Sequence, residues 1–295
     1  MPKAAAHGRR GLPLRRLPAM DLPFLVLVLT LVGFGLVMLC SASSAVALYR
    51  RGDAFAYARP QLLYAALGIG AMWLASRVDY HIYHRFAWPL LALSLVLLVA
   101  VLFMPEYNGC KRWLVLAGAG GAAAIGAAIL LMPDLVPYAA SRLNSWLDPF
   151  ADPLGDGHQT IQSLYAIGSG GAAGLGLGNS RQKHLFVPEP QNDFIFSILC
   201  EELGFIGACA VILLFSLLLW RGITLAAHAP DRFGALLVVG FVTQVTMQAV
   251  LNMAVVTNTI PNTGISLPFF SSGGTSLMML LGEMGIVLSV SRGES

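Results

Sequence analysis

The longest run without a charged residue covers positions 233–282, and it limits what the chain can fold into. A helix crosses a bilayer with about 20 apolar residues, so this run of 50 residues is long enough for two crossings. Residues 258–274 interrupt it with two prolines and three glycines. Because proline and glycine break helices, the run predicts two membrane helices joined by a functional loop at residues 258–274. We call it the second loop, since a longer loop precedes it at residues 133–193.

Five further apolar stretches occupy residues 22–49, 61–76, 86–105, 113–133 and 203–220. Only 11% of the 295 residues are charged, against about 25% in ordinary soluble domains. The 57% of hydrophobic residues could not be covered by a soluble protein's polar surface. The sequence therefore predicts an all-α, polytopic transmembrane helix bundle of about seven apolar segments. This excludes a soluble enzyme and a disordered scaffold, and the net charge of +3 indicates no nucleic acid partner.

Lysine and arginine predict the orientation of the spans, because they are enriched in cytoplasmic segments. Residues 1–20 form a basic tail, which we expect in the cytoplasm, and residues 21–292 form a single membrane domain. Basic turns at 77–85 and 221–232 are also expected inside. The long polar loop at 133–193 is cytoplasmic if residues 113–133 span the membrane and external if they do not. The patterns leave both topologies open, and we expect the external loop, with which every basic turn lies inside.

The loop at 133–193 is long enough to carry a function. Residues 159–167 alternate apolar positions with Gln159 and Gln162 in a pattern typical of a short interfacial amphipathic helix. The glycine-rich stretch at 168–178 would permit a close approach of the backbone to a ligand. We therefore expect this loop to be of the catalytic type, although a flexible surface loop remains the alternative.

Charged residues gather where this loop meets the next apolar helix, at Lys183, Glu189 and Asp193. A carboxylate close to a medium of low dielectric constant is expected to have a raised pKa, which suits a general base that accepts a proton from a hydroxyl. The structural alternative is that Asn192 or Asp193 caps the helix N-terminus.

Polar side chains inside the apolar helices are a second group of candidates. Glu201 and Glu202 are acids within a predicted membrane helix. Such residues are usually part of a functional site, and the alternative is that they belong to a structural hydrogen-bonded network. Gln244, Gln248 and Asn252 recur every four residues and are predicted to share a helix face aimed into the bundle. Such amides join helices in many membrane proteins, or they line a site.

Three segments resemble one known family. KHLFVPEPQNDFIF at 183–196, within the longer stretch 155–208, is similar to the large extracellular loop and following helix of the shape, elongation, division and sporulation family (FtsW, RodA and SpoVE). PNTGISLPFFSSGGTSL at 261–277 resembles its last loop, and NGCKRWL at 108–114 resembles its Arg-Trp motif. The loop sequence is most similar to the division and sporulation branch, and the resemblance covers most of residues 20–292.

The resemblance implies a peptidoglycan glycosyltransferase of the bacterial plasma membrane that polymerises lipid II during cell division or sporulation. It matches Asp193 to the family's essential aspartate, which activates the acceptor 4-hydroxyl, and undecaprenyl pyrophosphate is the leaving group. The implied partners are a class B penicillin-binding protein and divisome or sporulation proteins. The implied substrate-binding residues are Lys183, Glu189, Arg142, Arg112, Gln159, Gln162, Ser271, Ser272 and Gly273. A divalent cation (Mg²⁺ or Mn²⁺) would bridge the phosphates, with no metal ligand assigned.

The chain also departs from the family. Members have ten helices, whereas this sequence passes almost directly from the Arg-Trp motif to a helix resembling the one before the catalytic loop. About three helices, on the order of 70 residues, are therefore expected to be missing. An odd number of missing helices would reverse the side of everything that follows them. A lipid II flippase and a shortened, non-catalytic scaffold of the division complex remain the alternative functions.

Overall fold

The computed structural model describes residues 20–102, 135–155 and 157–293, and this part of the chain is helical without a strand. A short 3-10 helix at Pro149–Ala151 accompanies eight α-helices, which are α1 (Leu22–Arg51), α2 (Ala58–Ala75), α3 (His81–Leu102), α4 (Leu135–Leu147), α5 (His158–Gly170), α6 (Ile195–Ala227), α7 (Arg232–Val256) and α8 (Gly274–Ser291). The all-helical prediction is confirmed.

Four helices, α1, α6, α7 and α8, have the length and apolar composition to cross a membrane. Helices α2 and α3 lie where two more spans are predicted. The segment 113–133 lies outside the described residues. A helical membrane bundle is therefore confirmed, and the count of seven segments remains a prediction.

The bundle forms around α6, which packs against α1, α5 and α7, while α2 lies along α8. The uncharged run at 233–282 divides as predicted, because α7 ends at Val256 and α8 begins at Gly274. The span predicted at 203–220 is too short, since α6 begins at Ile195 and includes both Glu201 and Glu202. The predicted span begins after these two glutamates because only uncharged residues are assigned to it, whereas in the fold both acids are buried and hydrogen-bonded.

The segment 133–193 is more regular than a loop. It contains α4 and α5, and the predicted amphipathic helix at 159–167 falls within α5. Helix α5 packs against α6 and α7, and its Ser163 hydroxyl donates to the carbonyl of Val256 at 2.9 Å. The segment is therefore folded onto the membrane helices.

Helix α6 is interrupted at Gly204, which has φ +67° and ψ −164°. The interruption frees backbone groups that a continuous helix would pair internally. The amide of Phe205 donates to the carbonyl of Gly171, and the carbonyl of Glu201 accepts from the amide of Leu175, both at 2.9 Å. The glycine-rich stretch after α5 thus takes up the broken helical ladder.

A buried ion pair lies beside this break. Lys183 and Glu202 are 3% and 0% exposed, and the Lys183 Nζ lies 3.0 Å from the Glu202 Oε1. The Ser41 hydroxyl of α1 lies 2.6 and 2.7 Å from the two Glu202 oxygens, and the Lys183 Nζ also donates to the carbonyl of Gly178 at 2.6 Å. We call Ser41, Lys183 and Glu202 the α1–α6 network, since it ties the loop to both helices.

The adjacent acid, Glu201, anchors the same segment of chain. Its carboxylate accepts the Ser180 hydroxyl and the backbone amides of Arg181 and Gln182, at 3.0 and 3.2 Å. Because both glutamates neutralise groups of residues 178–183, the second alternative for them, a structural hydrogen-bonded network, is what the structure contains.

At the opposite end of the bundle, two aspartate carboxylates cap the N-termini of helices. Asp21 accepts from the amide of Phe24 at 2.8 Å and pairs with Arg221. Asp231 caps α7 through the amide of Gly234 at 3.0 Å. Burial alone would raise the pKa of Asp231, but hydrogen bonds from this amide and from the Tyr80 hydroxyl hold that pKa below its usual range.

Two glycines of α1 provide a matched test of packing. A β-carbon on Gly35 would lie 2.2 Å from the carbonyl oxygen of Phe269 in the second loop, whereas one on Gly33 would meet nothing within 4 Å. We expect Gly35→Ala to lower the melting temperature in detergent, because the second loop must move away. Gly33→Ala should be neutral or more stable by about 0.5–1 kcal/mol. Equal melting temperatures for the two variants would contradict this packing.

The buried pair predicts a double-mutant effect on the free energy of unfolding. Lys183→Met or Glu202→Gln alone should cost about 3–5 kcal/mol, because each leaves an uncompensated buried group, and the double variant should recover much of that loss. Denaturant unfolding in detergent measures this. The exposed pair Arg59–Asp53 is the control, since Arg59→Met should cost about 1 kcal/mol or less. Single variants no worse than this control would refute the network.

Candidate active site

Asp193 is half-buried and lies two residues before the start of α6, where the loop at 133–193 meets the second loop. The carbonyl of Asn192 accepts from the Ser271 hydroxyl at 2.7 Å, and the carbonyl of Gln191 accepts from the amide of Ser272 at 2.8 Å. The segment that carries Asp193 is therefore joined to the second loop, although the two are distant in sequence.

The side chain of Asn252, from α7, reaches both loops. Its Nδ2 donates to the carbonyls of Asp193 and Ile265, at 2.7 Å each. The Asp193 Oδ2 lies 3.4 Å from the position of a β-carbon on Gly264. The carboxylate consequently faces the second loop at a point where a side chain is absent.

Helix capping does not account for this position. The N-cap of α6 is Phe194, which makes no side-chain cap hydrogen bond. The alternative in which Asn192 or Asp193 occupies that cap is therefore wrong.

Glu189 lies in the same segment and is tied to α1. Its Oε1 is 2.5 Å from the Arg50 Nη1, and its Oε2 accepts from the Gln191 Nε2 at 2.6 Å. Glu189 also has a φ of +48°, which is unfavourable for a residue with a side chain. Sequence reasoning misses Arg50, since nothing in the sequence near this residue points to a carboxylate 139 positions away.

A polar cavity of about 340 Å³ adjoins the two loops. Arg142 and Gln159 both line it, and Asn262 connects them, because its carbonyl accepts from the Arg142 Nη1 at 2.8 Å and its Nδ2 lies 3.5 Å from the Gln159 Oε1. The lining also includes Trp146, His158, Thr160, Pro188 and Asn258. Indole, amide and hydroxyl groups around a space of this size suit a polar ring compound better than an acyl chain.

The remaining predicted residues divide between the protein interior and other surfaces. Lys183 requires a correction, because its buried ammonium group is engaged by Glu202 and is not available to a phosphate in this structure. Gln162 is half-buried on α5 and does not line the cavity. Arg112 lies outside the described residues.

The serines of the second loop serve its own folding. The buried Ser271 hydroxyl accepts from the amide of Leu267 at 2.8 Å while it donates to Asn192. The amide of Gly273 donates to the Gln61 Oε1 of α2 at 3.2 Å, and Ser272 is half-buried. These contacts set the shape of the loop facing Asp193.

The described residues provide few ligands for a divalent cation. Within the described ranges 20–102, 135–155 and 157–293, no three His, Cys, Asp or Glu side chains are grouped as metal ligands. Glu189, the acid nearest to Asp193 in sequence, is already paired with Arg50. The described residues do not fit the bridging cation that the resemblance implies, and we derive no step through one.

Comparison with known proteins agrees with this architecture. The family model described as "Cell cycle protein" (FTSW_RODA_SPOVE) matches residues 21–120 and 118–295. Stage V sporulation protein E of Bacillus subtilis is 36% identical over 355 residues, covering 92% of this chain and 97% of that protein. The probable peptidoglycan glycosyltransferase FtsW of Trichlorobacter lovleyi is 34% identical, with 94% of each chain covered.

Two solved structures share the fold. One comes from work on the structural coordination of polymerization and crosslinking by a peptidoglycan synthase complex, with a TM-score of 0.68 and 26% identity over 93% of this chain and 98% of that one. The other is the rod shape determining protein RodA of Thermus thermophilus, with a TM-score of 0.57 and 28% identity over 93% and 97%.

The same comparisons agree with an internal shortening. The match to the sporulation protein extends over 355 residues, so at least 60 of them have no counterpart in a chain of 295. The family model matches in two pieces that meet at residues 118–120, where the sequence departs from the family pattern. With matches along nearly its whole length and a shared fold, the chain belongs to the FtsW, RodA and SpoVE family of cell cycle proteins.

Proposed function

We propose that this chain is a peptidoglycan glycosyltransferase that polymerises lipid II. The observation that carries the proposal is the position of Asp193, half-buried between two joined loops that border a polar cavity. Its relatives from Trichlorobacter and Geobacter carry the name probable peptidoglycan glycosyltransferase, which supports the same chemistry here.

In the proposed reaction Asp193 is the general base. Its carboxylate takes the proton of the acceptor 4-hydroxyl as that oxygen forms a bond to the anomeric carbon of the donor sugar. The bond from this carbon to undecaprenyl pyrophosphate breaks, and the leaving group departs with the electron pair. A base positioned in this way contributes about 10²–10⁴-fold to the rate.

The cavity supplies the binding groups of the proposal. Gln159 would hydrogen-bond a sugar, and the Arg142 guanidinium would neutralise phosphate charge as it develops. We propose that Glu189, four residues before Asp193 in the chain, stays paired with Arg50, whose positive charge offsets that of the Glu189 carboxylate. Arg112 and Gln162 remain sequence-based proposals for substrate contacts.

We further propose that the protein works with a class B penicillin-binding protein. The related structure from a peptidoglycan synthase complex supports a partner that crosslinks the strands. We propose divisome or sporulation proteins as further partners, because the sequence resembles the division and sporulation branch of the family. The second candidate function, a non-catalytic scaffold of the same complex, is favoured by the shortening, since at least 60 positions of the sporulation relative are missing.

The substrate side of the membrane is also a proposal. Asp21 and Arg50 are at opposite ends of α1, and Arg50 contacts the Asp193 segment through Glu189. A cytoplasmic N-terminal tail therefore places this segment on the external side, where the glycan strand grows.

Cysteine labelling tests this topology. Helix α5, with 13 residues, is too short to cross, so α6 alone separates Leu154 from His228. In a cysteine-free background, an impermeant thiol reagent applied to intact cells should label Leu154→Cys, since Leu154 is 92% exposed. The exposed His228→Cys should react only after permeabilisation. The reverse pattern would place Asp193 in the cytoplasm and contradict the proposed function.

Asp193→Asn tests the general base, because an amide cannot accept the proton. We expect the rate of glycan polymerisation by the purified protein with its transpeptidase partner to fall by about 10²–10⁴-fold, with lipid II binding retained. The control is Asp53→Asn, an acid on the same side that pairs with Arg59 outside the site, which should polymerise normally.

Three further results would decide between the alternatives. Normal polymerisation by Asp193→Asn would refute the general base. If neither the wild type nor Asp193→Asn polymerises lipid II while the partner is still bound, the result would support the scaffold. Transport of labelled lipid II across proteoliposomes by both proteins, without polymerisation, would support the flippase.

A further inference from the structure

The amides of α7 are not arranged as a uniform polar face. Gln244, predicted to point into the bundle, is exposed, and this part of the prediction is wrong. Gln248 and Asn252 instead turn to the second loop, where the Gln248 Nε2 donates to the carbonyl of Ser266 at 3.0 Å and Asn252 donates to that of Ile265. The helix therefore holds consecutive residues of the second loop through side-chain amides.

We propose that Asn252 is a positioning residue that fixes the Asp193 carboxylate for proton transfer; this inference rests on the proposed function. Asn252 is 0% exposed, and a carboxamide nitrogen carries two hydrogens. One is donated to the carbonyl of Asp193 and the other to that of Ile265, both at 2.7 Å. A single planar group thus sets the separation of the two backbones between which the carboxylate lies.

The other links between the loops act on neighbouring residues. Ser271 bonds the carbonyl of Asn192, and Ser272 bonds that of Gln191. Asn252 bonds the carbonyl of Asp193 itself. Loss of its amide would leave the carbonyls of two half-buried residues without these donors, and such groups move toward new partners because partial burial without a hydrogen bond is unfavourable.

The consequence for the reaction is geometric. The Asp193 Oδ2 is 3.4 Å from the β-carbon position of Gly264, so a change in the separation of the loops alters where the carboxylate points. A displacement of about 1 Å costs about 10²-fold in rate even when its origin is far from the reacting atoms. Asn252 touches no cavity-lining group in its two bonds, so we expect its loss to change the reaction rate rather than substrate binding.

The test compares Asn252→Leu, which keeps the approximate size but removes both donors, with Gln244→Leu on the same helix. For Asn252→Leu we expect kcat for polymerisation to fall about 10²-fold with KM for lipid II changed less than twofold. Asn252→Ser, which retains one donor and is less disruptive to folding, should lie between this variant and the wild type. Gln244→Leu should match the wild type, because that amide is exposed. Melting temperatures and the folded fraction are measured for every variant.

A second measurement needs no activity. Asp193→Cys and Gly264→Cys, combined in a cysteine-free chain, should form an intramolecular disulfide under mild oxidation, detected by mass spectrometry. Adding Asn252→Leu should slow this disulfide formation at least fivefold, whereas adding Gln244→Leu should leave it unchanged. If the wild type proves inactive, the proposed function fails, and the cross-linking still tests whether Asn252 sets the distance between the loops.

Several outcomes would overturn the positioning role. A loss of activity that merely follows the folded fraction would make Asn252 a structural residue. An increased KM with an unchanged kcat would make it a binding residue. Cross-linking at the wild-type rate in the presence of Asn252→Leu would show that this amide does not hold the two loops together.

Discussion

Burial of the Glu202 carboxylate is the constraint on which the site depends. A charge with no access to water must be paired and hydrogen-bonded, and Lys183 and Ser41 supply those partners. Lys183 belongs to the loop and Ser41 to α1, so neutralising one acid draws the loop onto two membrane helices. The segment from Lys183 to Asp193 therefore starts at a fixed point and ends just before α6.

The break at Gly204 makes this arrangement possible. A continuous α6 would pair the Glu201 carbonyl within the helix, but here the carbonyl accepts from Leu175 of the glycine-rich stretch. Glycine is suited to the φ of +67° at the break, and backbone atoms of Gly174 and Ala172 would meet any β-carbon there at 2.4 and 2.6 Å. Backbone groups at membrane depth thus find partners in protein, and the same contacts shape the loop.

The sequence predicts the helical bundle, the break after Val256, the short helix at 159–167 and the family, because hydrophobic periodicity and local motifs are properties of neighbouring residues. It does not predict that α6 begins at Ile195, or that Lys183 faces Glu202 rather than a phosphate. It also misses the Arg50–Glu189 pair and the two bonds of Asn252. Each of these joins residues far apart in the chain, and a pattern in one sequence carries no record of which distant side chain neutralises a charge.

The shortening can be weighed against the contacts that hold the segment carrying Asp193. These contacts come from α7, through Asn252, from the second loop, through Ser271, and from α1, through the Arg50–Glu189 pair. Every one of these elements lies before or after the junction at 118–120, so the shortened chain still contains all of them. The elements that position the Asp193 segment in this structure are therefore retained in the shortened chain.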